Sequence, residues 1–287
     1  VVLTIGKFEG IHLGHRALLR EVVARAGSLG LQSAVIVFKP HPFVVLADED
    51  YKPIFSEQER ERLIKSNGIQ RIITLDFREI VTMNAQDFCQ KLFTEYGTKE
   101  IIVGEDYRFG NNREGTLRTL QQAAARHNAA VRTIAKINNI STSRIRELLA
   151  QQNFCEAEKL LGFPFFIEGI VTKGRQLGGK LGFPTLNIYP PSDKFLPPRG
   201  VYTTRTIIDG AEMAGLTNIG VCPTVNANED ERLSVETHVP SLQAGELYGQ
   251  KIRVEFLRFI RPEKRFGGIE ELKAQISEDL RYLLTHM

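Results

Sequence analysis

"VVLTIGKFEGIHLGHRALLREVV", residues 1–23, decides the fold. Val1–Ile5 is a short apolar run of the kind that forms a strand buried on both faces of a sheet. A turn bearing Gly6, Gly10 and Gly14 follows, and then a segment that reads as a helix with Leu18, Val22 and Leu29 on one face. A strand, a glycine turn and a helix start make a phosphate site in waiting. Free backbone N–H groups and the positive end of the helix dipole face the ligand there. Gly6 and Gly10 allow close backbone approach, and Gly14 leaves room between the imidazoles of His12 and His15. Both rings can donate to phosphate oxygens without a metal. The competing reading is a histidine-containing helix cap.

Working outward, strand-like and helix-like runs alternate. "SAVIVF" is a second buried strand, and "SEQE", Ser56–Glu59, has capping-box spacing and opens a helix. Strand "RIITL", helix "AQDFCQKLFTEY" behind an Asn84 cap, strand "EIIVG", helix "TLRTLQQAAARH" and strand "VRTI" complete the series. This predicts a parallel sheet with helices on both faces, whose ligands bind beyond the carboxyl ends of the strands. The helical pattern runs on through "SRIRELLAQQNFCEAEKLL" and stops at Gly162. Within it, Ser141, Thr142 and Ser143 make a helix N-terminus, to which Arg144 and Arg146 add positive charge, a second anion cradle. Alone, that pattern is also an ordinary cap followed by basic residues.

After "GFPFF" the texture changes. "EGIVTKG", "GVYTTRTII", "LTNIGV", "RLSVETHV" and "KIRVEFLRFI" are short strand-like runs separated by glycine and proline, which predicts an antiparallel sandwich or closed barrel. Ile269, Leu272, Ile276, Leu280 and Leu283 step along one face of a final helix. The predicted boundary lies between residues 162 and 163.

Composition narrows the class. The chain has 287 residues, 42% of them hydrophobic and 25% charged, with a net charge of +3. Up to Leu161 there are 22 Lys+Arg against 19 Asp+Glu, and from Gly162 onward 15 against 15, so no basic stripe suggests nucleic acid. Cys89, Cys155 and Cys222 are odd in number and far apart, which argues for reduced thiols in the cytoplasm rather than a disulfide framework or zinc site. No signal-peptide pattern and no membrane-length apolar run is present. A start on Val1 is read as the loss of a few upstream residues. "GRQLGGKL", residues 174–181, nearly spells a P-loop. Leu181, however, stands where a magnesium-binding hydroxyl is needed, and Pro184 arrives too soon for the required helix.

"GKFEGIHLGH", "FKPHP", "VGEDYRFG" and "ISTSRIR", in this order, resemble the FMN adenylyltransferase module of bacterial bifunctional riboflavin kinase/FAD synthetases, within the HxGH nucleotidyltransferases. "LGFPTLN", "GVY", "NIGVCPT", "VETH" and "LYG" are similar to that family's riboflavin kinase module. The resemblance implies a Rossmann-like HxGH nucleotidyltransferase domain over residues 1–162. It implies a six-stranded antiparallel β-barrel with a terminal helix over residues 163–287. It implies ATP-dependent conversion of riboflavin to FMN in the barrel, and adenylyl transfer from ATP to FMN, giving FAD and pyrophosphate, in the first domain. His12, His15 and Arg146 are then the groups that stabilise the reacting phosphates, with Gly6, Phe8, Gly10, Gly14, Ser141, Thr142 and Arg144 around ATP. Asp106 and Phe109 are candidate flavin neighbours. In the barrel, strand alternation puts Thr185 and Asn187 on one face as oxygen ligands for Mg²⁺. Glu236 is the general base for the ribityl hydroxyl. Gly182 and Lys180 adjoin the ATP phosphates, and His238 is structural or flavin-adjacent.

Three motifs depart from the family pattern, the first of them also carrying Lys7 where asparagine is common. Glu9 stands where aspartate is usual, Ser141-Thr142-Ser143 where serine–serine–threonine is usual, and Gly179 where arginine is usual, leaving Lys180 or Arg175 to hold phosphate. The stretch between Ile134 and Ile140 is short for the family. A first alternative is therefore a working kinase with a weakened adenylyltransferase. A rival of another class, a nucleotide- or RNA-binding regulator, lacks the basic, aromatic-rich surface it would need, and the chain has no Trp. The implied partners are small molecules, without nucleic acid or membrane, and oligomeric state is not legible.

Overall fold

The opening apolar run becomes β1 (Val2–Ile5), every residue of it buried, as a central strand requires. The computed structural model describes residues 1–47, 49–137, 139–174, 177–222, 232–242 and 247–286. Chain contacts divide it into two compact units, Val1–Thr142 and Ser143–Met287.

In the first unit α1 (Leu13–Leu29) follows the glycine turn, then β2 (Ser33–Lys39), α2 (Pro42–Leu46), α3 (Glu57–Ser66), β3 (Arg71–Asp76), α4 (Phe77–Ile80) and α5 (Ala85–Gln90). β4 (Glu100–Gly104), α6 (Leu117–Arg126) and β5 (Ala130–Ile134) complete it. The five strands are parallel in the order β3-β2-β1-β4-β5. β1 is thus central, and the chain turns to opposite sides of it, so the glycine turn leaves the sheet at its switch point. Leu3, Ile5, Ile36, Phe88, Phe93, Ile101 and Val103 form the core on one face. On the other, α1 packs against β1, β2 and β4.

Local chemistry fixes the helix ends. Ser56 and Glu59 form the expected capping box, and Asn84 caps α5. That helix then widens into a π-helical turn over Lys91–Glu95. The buried stripe of α1 is Leu19, Val22 and Ala26. Leu29, a seven-residue step from Val22, sits beside the Gly30 cap at the helix end and stays 45% exposed, which corrects the predicted face.

A second correction concerns the long helical pattern. It is two helices, α7 (Thr142–Ala150) and α8 (Phe154–Leu161). Gln152 at φ +61 breaks the run and Asn153 caps the new helix, accepting from the Glu156 N–H. By contacts α8 belongs with the second unit, where Phe154 stacks on Phe256 and Phe165 and meets Tyr202 edge-on.

The second unit contains β6 (Phe166–Ile170), α9 (Leu177–Leu181), β7 (Thr185–Ile188), β8 (Gly200–Ile208), β9 (Ala211–Cys222), β10 (Arg232–His238), β11 (Lys251–Arg261) and α10 (Ile269–His286). The six strands pair antiparallel in the order β6-β11-β8-β9-β10-β7. The two ends of that order meet: beyond β6, the Thr172 N–H donates to the Asn187 carbonyl at 2.9 Å. The sheet therefore closes into a barrel, which removes its edges. Inside, Thr204, Thr217 and Thr237 form a buried hydroxyl ladder with 2.7 and 2.9 Å steps. α10 lays Leu283 on Val201 and Leu216, with Ile276 and Leu280 half-buried beside them. Ile269, placed on that face by periodicity, is 56% exposed at the first turn.

Candidate active sites

The turn after β1 is built around its two imidazoles. His12 is the N-cap of α1, and its Nδ1 accepts from the His15 N–H at 3.3 Å. That fixes the proton of His12 on Nε2, which is then a donor. The rings of His12 and His15 stack at 3.8 Å between centroids, and Phe8 tilts against His15 at 5.1 Å. Gly14 suits this stack, because a Cβ there would stand 3.2 Å from the His12 ring and press it aside by a few tenths of an ångström. Gly6 lies just as near, with an added Cβ 3.1 Å from the Phe8 ring. Gly10 is buried in the same turn.

Burial sets the charge of this pair. Desolvation pushes the His12 pKa down to about 4 and holds His15 well below the ordinary value, with His12 and then Lys7 adding to the effect. Both imidazoles are neutral at pH 7. A triphosphate brought beside them supplies the negative charge that would draw their pKa values back up. Phe8 at φ +45 and Ile11 at φ +43 hold the left-handed region at about 1–3 kcal/mol each, strain of a kind that clusters at functional sites.

The remaining candidates for adenylyl transfer are placed less uniformly, Arg144 and Arg146 falling within the second compact unit. Ser141 and Thr142 sit at the start of α7, whose Arg144 pairs with Glu147 at 3.1 Å. Arg146 lies over the Phe195 ring at 5.0 Å. Asp106 is exposed, 3.5 Å from Lys136 Nζ. Phe109 packs in the core between Phe88 and Tyr107 and is only 7% exposed, which leaves little of it to meet a flavin.

The barrel presents a second constellation through strand register. Glu236 lies opposite Asn187 on one side and Asn218 on the other, and His238 lies opposite Thr185 and Leu216. Because side chains alternate, all these residues share a face. The Asn187 amide donates to Thr185 Oγ1 at 3.3 Å, and Ser234 Oγ donates to Glu236 Oε1 at 3.4 Å. His238 Nδ1 meets the Pro184 carbonyl at 2.8 Å, which gives it a structural anchor. Gly174 is excluded from carrying a side chain, since a Cβ would stand 2.5 Å from the Asn187 amide carbon. A cleft of about 240 Å³ opens on this face, lined by Thr185, Asn218, Glu236 and His238 from the strands and by α10 and the residues before it. Gly182 ends α9 at φ +91, and Gly179 has open space above it. The Lys180 side chain, together with Arg175, Pro223 and Thr224, lies outside the described residues.

The donor set fits a hard cation. A threonine hydroxyl and a carboxamide on one face carry oxygens without fixed negative charge, of the type Mg²⁺ takes, although here the amide NH₂ rather than its oxygen faces the hydroxyl. Among the described residues no group of three His, Cys, Asp or Glu side chains is placed to hold a metal ion.

With both sites built, comparison with known proteins is decisive. Residues 1–147 match the FAD synthetase family model, and residues 161–286 match the riboflavin kinase model. The bifunctional riboflavin kinase/FMN adenylyltransferase of Escherichia coli K12 is 35% identical over 97% of this chain and 90% of its own. The Pseudomonas fluorescens and Bacillus subtilis proteins of the same name are 33% and 31% identical at the same coverage. The chain belongs to this bifunctional family. A solved structure described as a macrolide-efflux protein from Streptococcus pneumoniae superposes with a TM-score of 0.85 at 27% identity, covering 100% of this chain and 94% of that one. Among the described residues no helix is long and apolar enough to cross a membrane.

The sequence reading missed part of the wall of the barrel cleft. Arg261 grips Asp279 of α10 through both carboxylate oxygens, at 2.7 to 3.1 Å, and so fixes the segment that carries Glu263, Lys264 and Phe266 into the cleft wall. Glu263 Oε1 accepts from the Asn218 amide at 3.5 Å, next to the register position of Glu236. The signal available in the sequence was Asn218 itself, a carboxamide beside Thr217 in the strand run "LTNIGV".

Proposed function

We propose that the chain makes FAD from riboflavin in two steps at two separate sites, residues 1–162 supplying adenylyl transfer and residues 163–287 the kinase. Membership of the bifunctional family supports both activities. The observation that carries the division is the difference in available bases. The barrel face holds a carboxylate, Glu236, in register with the Thr185/Asn187 oxygen pair, whereas the HxGH turn offers neutral donors.

The chemistry calls for that difference. The 5′-hydroxyl of riboflavin must lose a proton as it attacks the γ-phosphate of ATP. Glu236 accepts it, a contribution of about 10²–10⁴-fold. Thr185 and Asn187 would hold Mg²⁺, which supplies charge neutralisation on the ATP phosphates. Gly182 and Lys180 adjoin those phosphates, and His238 braces the strand behind the base. In the second step the FMN phosphate is already an anion, so its attack on the α-phosphate needs alignment and charge stabilisation rather than a base. His12 and His15 donate to the phosphate oxygens, Gly6, Phe8, Gly10 and Gly14 shape the turn around ATP, and Ser141, Thr142, Arg144 and Arg146 bind phosphate. Asp106 and Phe109 are assigned to the flavin.

We place the enzyme in the cytoplasm with small molecules as its partners. The balanced charge supports this, as do two free thiols, of which burial pushes Cys89 up to about 11. The test is a product assay with riboflavin, ATP and Mg²⁺, resolved by chromatography. FMN should appear first and FAD accumulate. FMN alone would leave only the kinase standing, and no conversion would overturn the reading.

A further inference from the structure

We propose that Glu9 is a positioning residue for adenylyl transfer, its buried carboxylate tying the HxGH turn to the segment before α3 so that His12 and His15 are presented in one fixed geometry. This rests on the adenylyltransferase reading of that turn.

The turn has to be held by something. Phe8 and Ile11 are non-glycine residues in the left-handed region, and both are buried, at 1% and 0% exposure. Neither a bulky aromatic nor a β-branched residue keeps such a conformation unless its surroundings over-determine it. Glu9 lies between them and is 3% exposed. The Tyr51 hydroxyl donates to it, 3.0 Å from Oε1 and 2.8 Å from Oε2, and the Ile54 N–H donates to Oε1 at 3.2 Å. His41 caps α2 by accepting the Phe43 N–H on Nδ1, and its Nε2 stands 3.3 Å from Glu9 Oε2, a charge contact without hydrogen-bond geometry. Arg60, also buried, braces the same junction by donating to the Lys7 and Phe38 carbonyls at 3.4 Å each. Three stretches of chain, those after β1 and β2 and the one before α3, thus converge on one carboxylate.

Glu9 is not a candidate base, because both its oxygens are engaged by protein donors and it is almost fully buried. Its effect runs through the turn. Bonds to an ionised carboxylate are stronger than neutral ones, and loss of the charge leaves buried donors poorly satisfied.

The experiment compares full-length wild type, Glu9→Gln, Glu9→Asp, Tyr51→Phe and the Glu9→Gln/Tyr51→Phe pair, with kinase and adenylyltransferase activities measured on the same preparations. For Glu9→Gln, FAD formation from FMN should lose at least tenfold in kcat while KM for ATP rises at least threefold. FMN formation from riboflavin should stay within twofold of wild type. Glu9→Asp should recover at least threefold over Glu9→Gln, Tyr51→Phe should be milder, and the pair should be no worse than Glu9→Gln alone. Unchanged kcat and KM in Glu9→Gln would overturn the proposal. A fall in kcat at constant KM, matching a loss of folded protein by thermal melting, would reduce Glu9 to a structural residue and overturn it as well. A wild type that makes FMN but no FAD would sink the adenylyltransferase reading and this proposal together, a pattern distinct from either.

Discussion

The HxGH turn and the barrel face, which we propose both handle ATP and a flavin, are made by opposite means. The turn is irregular backbone, strained at Phe8 and Ile11, whose imidazoles are held neutral by burial. The barrel face is regular, and its functional groups fall into place because β7, β9 and β10 are in register. The lesson is that each architecture suits its nucleophile. A hydroxyl needs a base beside a metal-binding oxygen pair, which alternate positions on adjacent strands deliver without strain. A phosphate monoester needs donors brought close to it, which a tight turn at a helix N-terminus delivers at the expense of strain.

The comparison can be broken at either end. The largest effect is expected for Glu236→Ala, which should slow riboflavin phosphorylation by about 10²–10⁴-fold. FAD formation from supplied FMN should stay within twofold, both read by steady-state product assays. Next, His15→Ala should slow FAD formation by about 10²–10³-fold, the usual consequence of removing one preorganised donor. Riboflavin phosphorylation should persist in that variant. Asn187→Ala should act more modestly, raising the Mg²⁺ concentration for half-maximal kinase activity by about tenfold, one oxygen ligand being lost. The same variant should leave the metal dependence of adenylyl transfer as it was.

The smallest effect sharpens the contrast in charge. His12 has its pKa lowered to about 4 in the folded state, against an ordinary 6.5. The unfolded chain therefore binds more protons between these values, and stability rises with pH across them. The contribution is fully present above about pH 6.5 and lost progressively as pH falls toward 4, on the order of 3 kcal/mol in all. Thermal melts between pH 7 and 4 should show this loss. His12→Asn should remove the His12 share of it and leave that of His15, which is lowered in the same direction.

How much of this was legible beforehand follows the same divide. The barrel strands, the Ser56 capping box and the alternating first half were readable because period-two and period-3.6 patterns are local. So was the pairing of Thr185 with Asn187, two residues apart on one strand. The break at Gln152 was not, because a glutamine in the left-handed region carries no sequence signal and the apolar spacing continues across it. Nor was the exposure of Leu29, which lies on the buried stripe but at the helix end. The hub at Glu9 was hidden for a different reason. Its partners Tyr51 and Ile54 lie 42 and 45 residues away, and only the sheet order brings them together. The cleft wall formed by Glu263 and Lys264 was hidden likewise, since it depends on the Arg261–Asp279 clamp.

The central claim, one chemistry per site, is tested most directly by mixing the His15→Ala and Glu236→Ala proteins with riboflavin, ATP and Mg²⁺. Each alone should fail to make FAD from riboflavin, the first stopping at FMN and the second at riboflavin. Together they should restore FAD through released FMN. Failure of the mixture, with either folded variant having lost both half-reactions, would contradict the account.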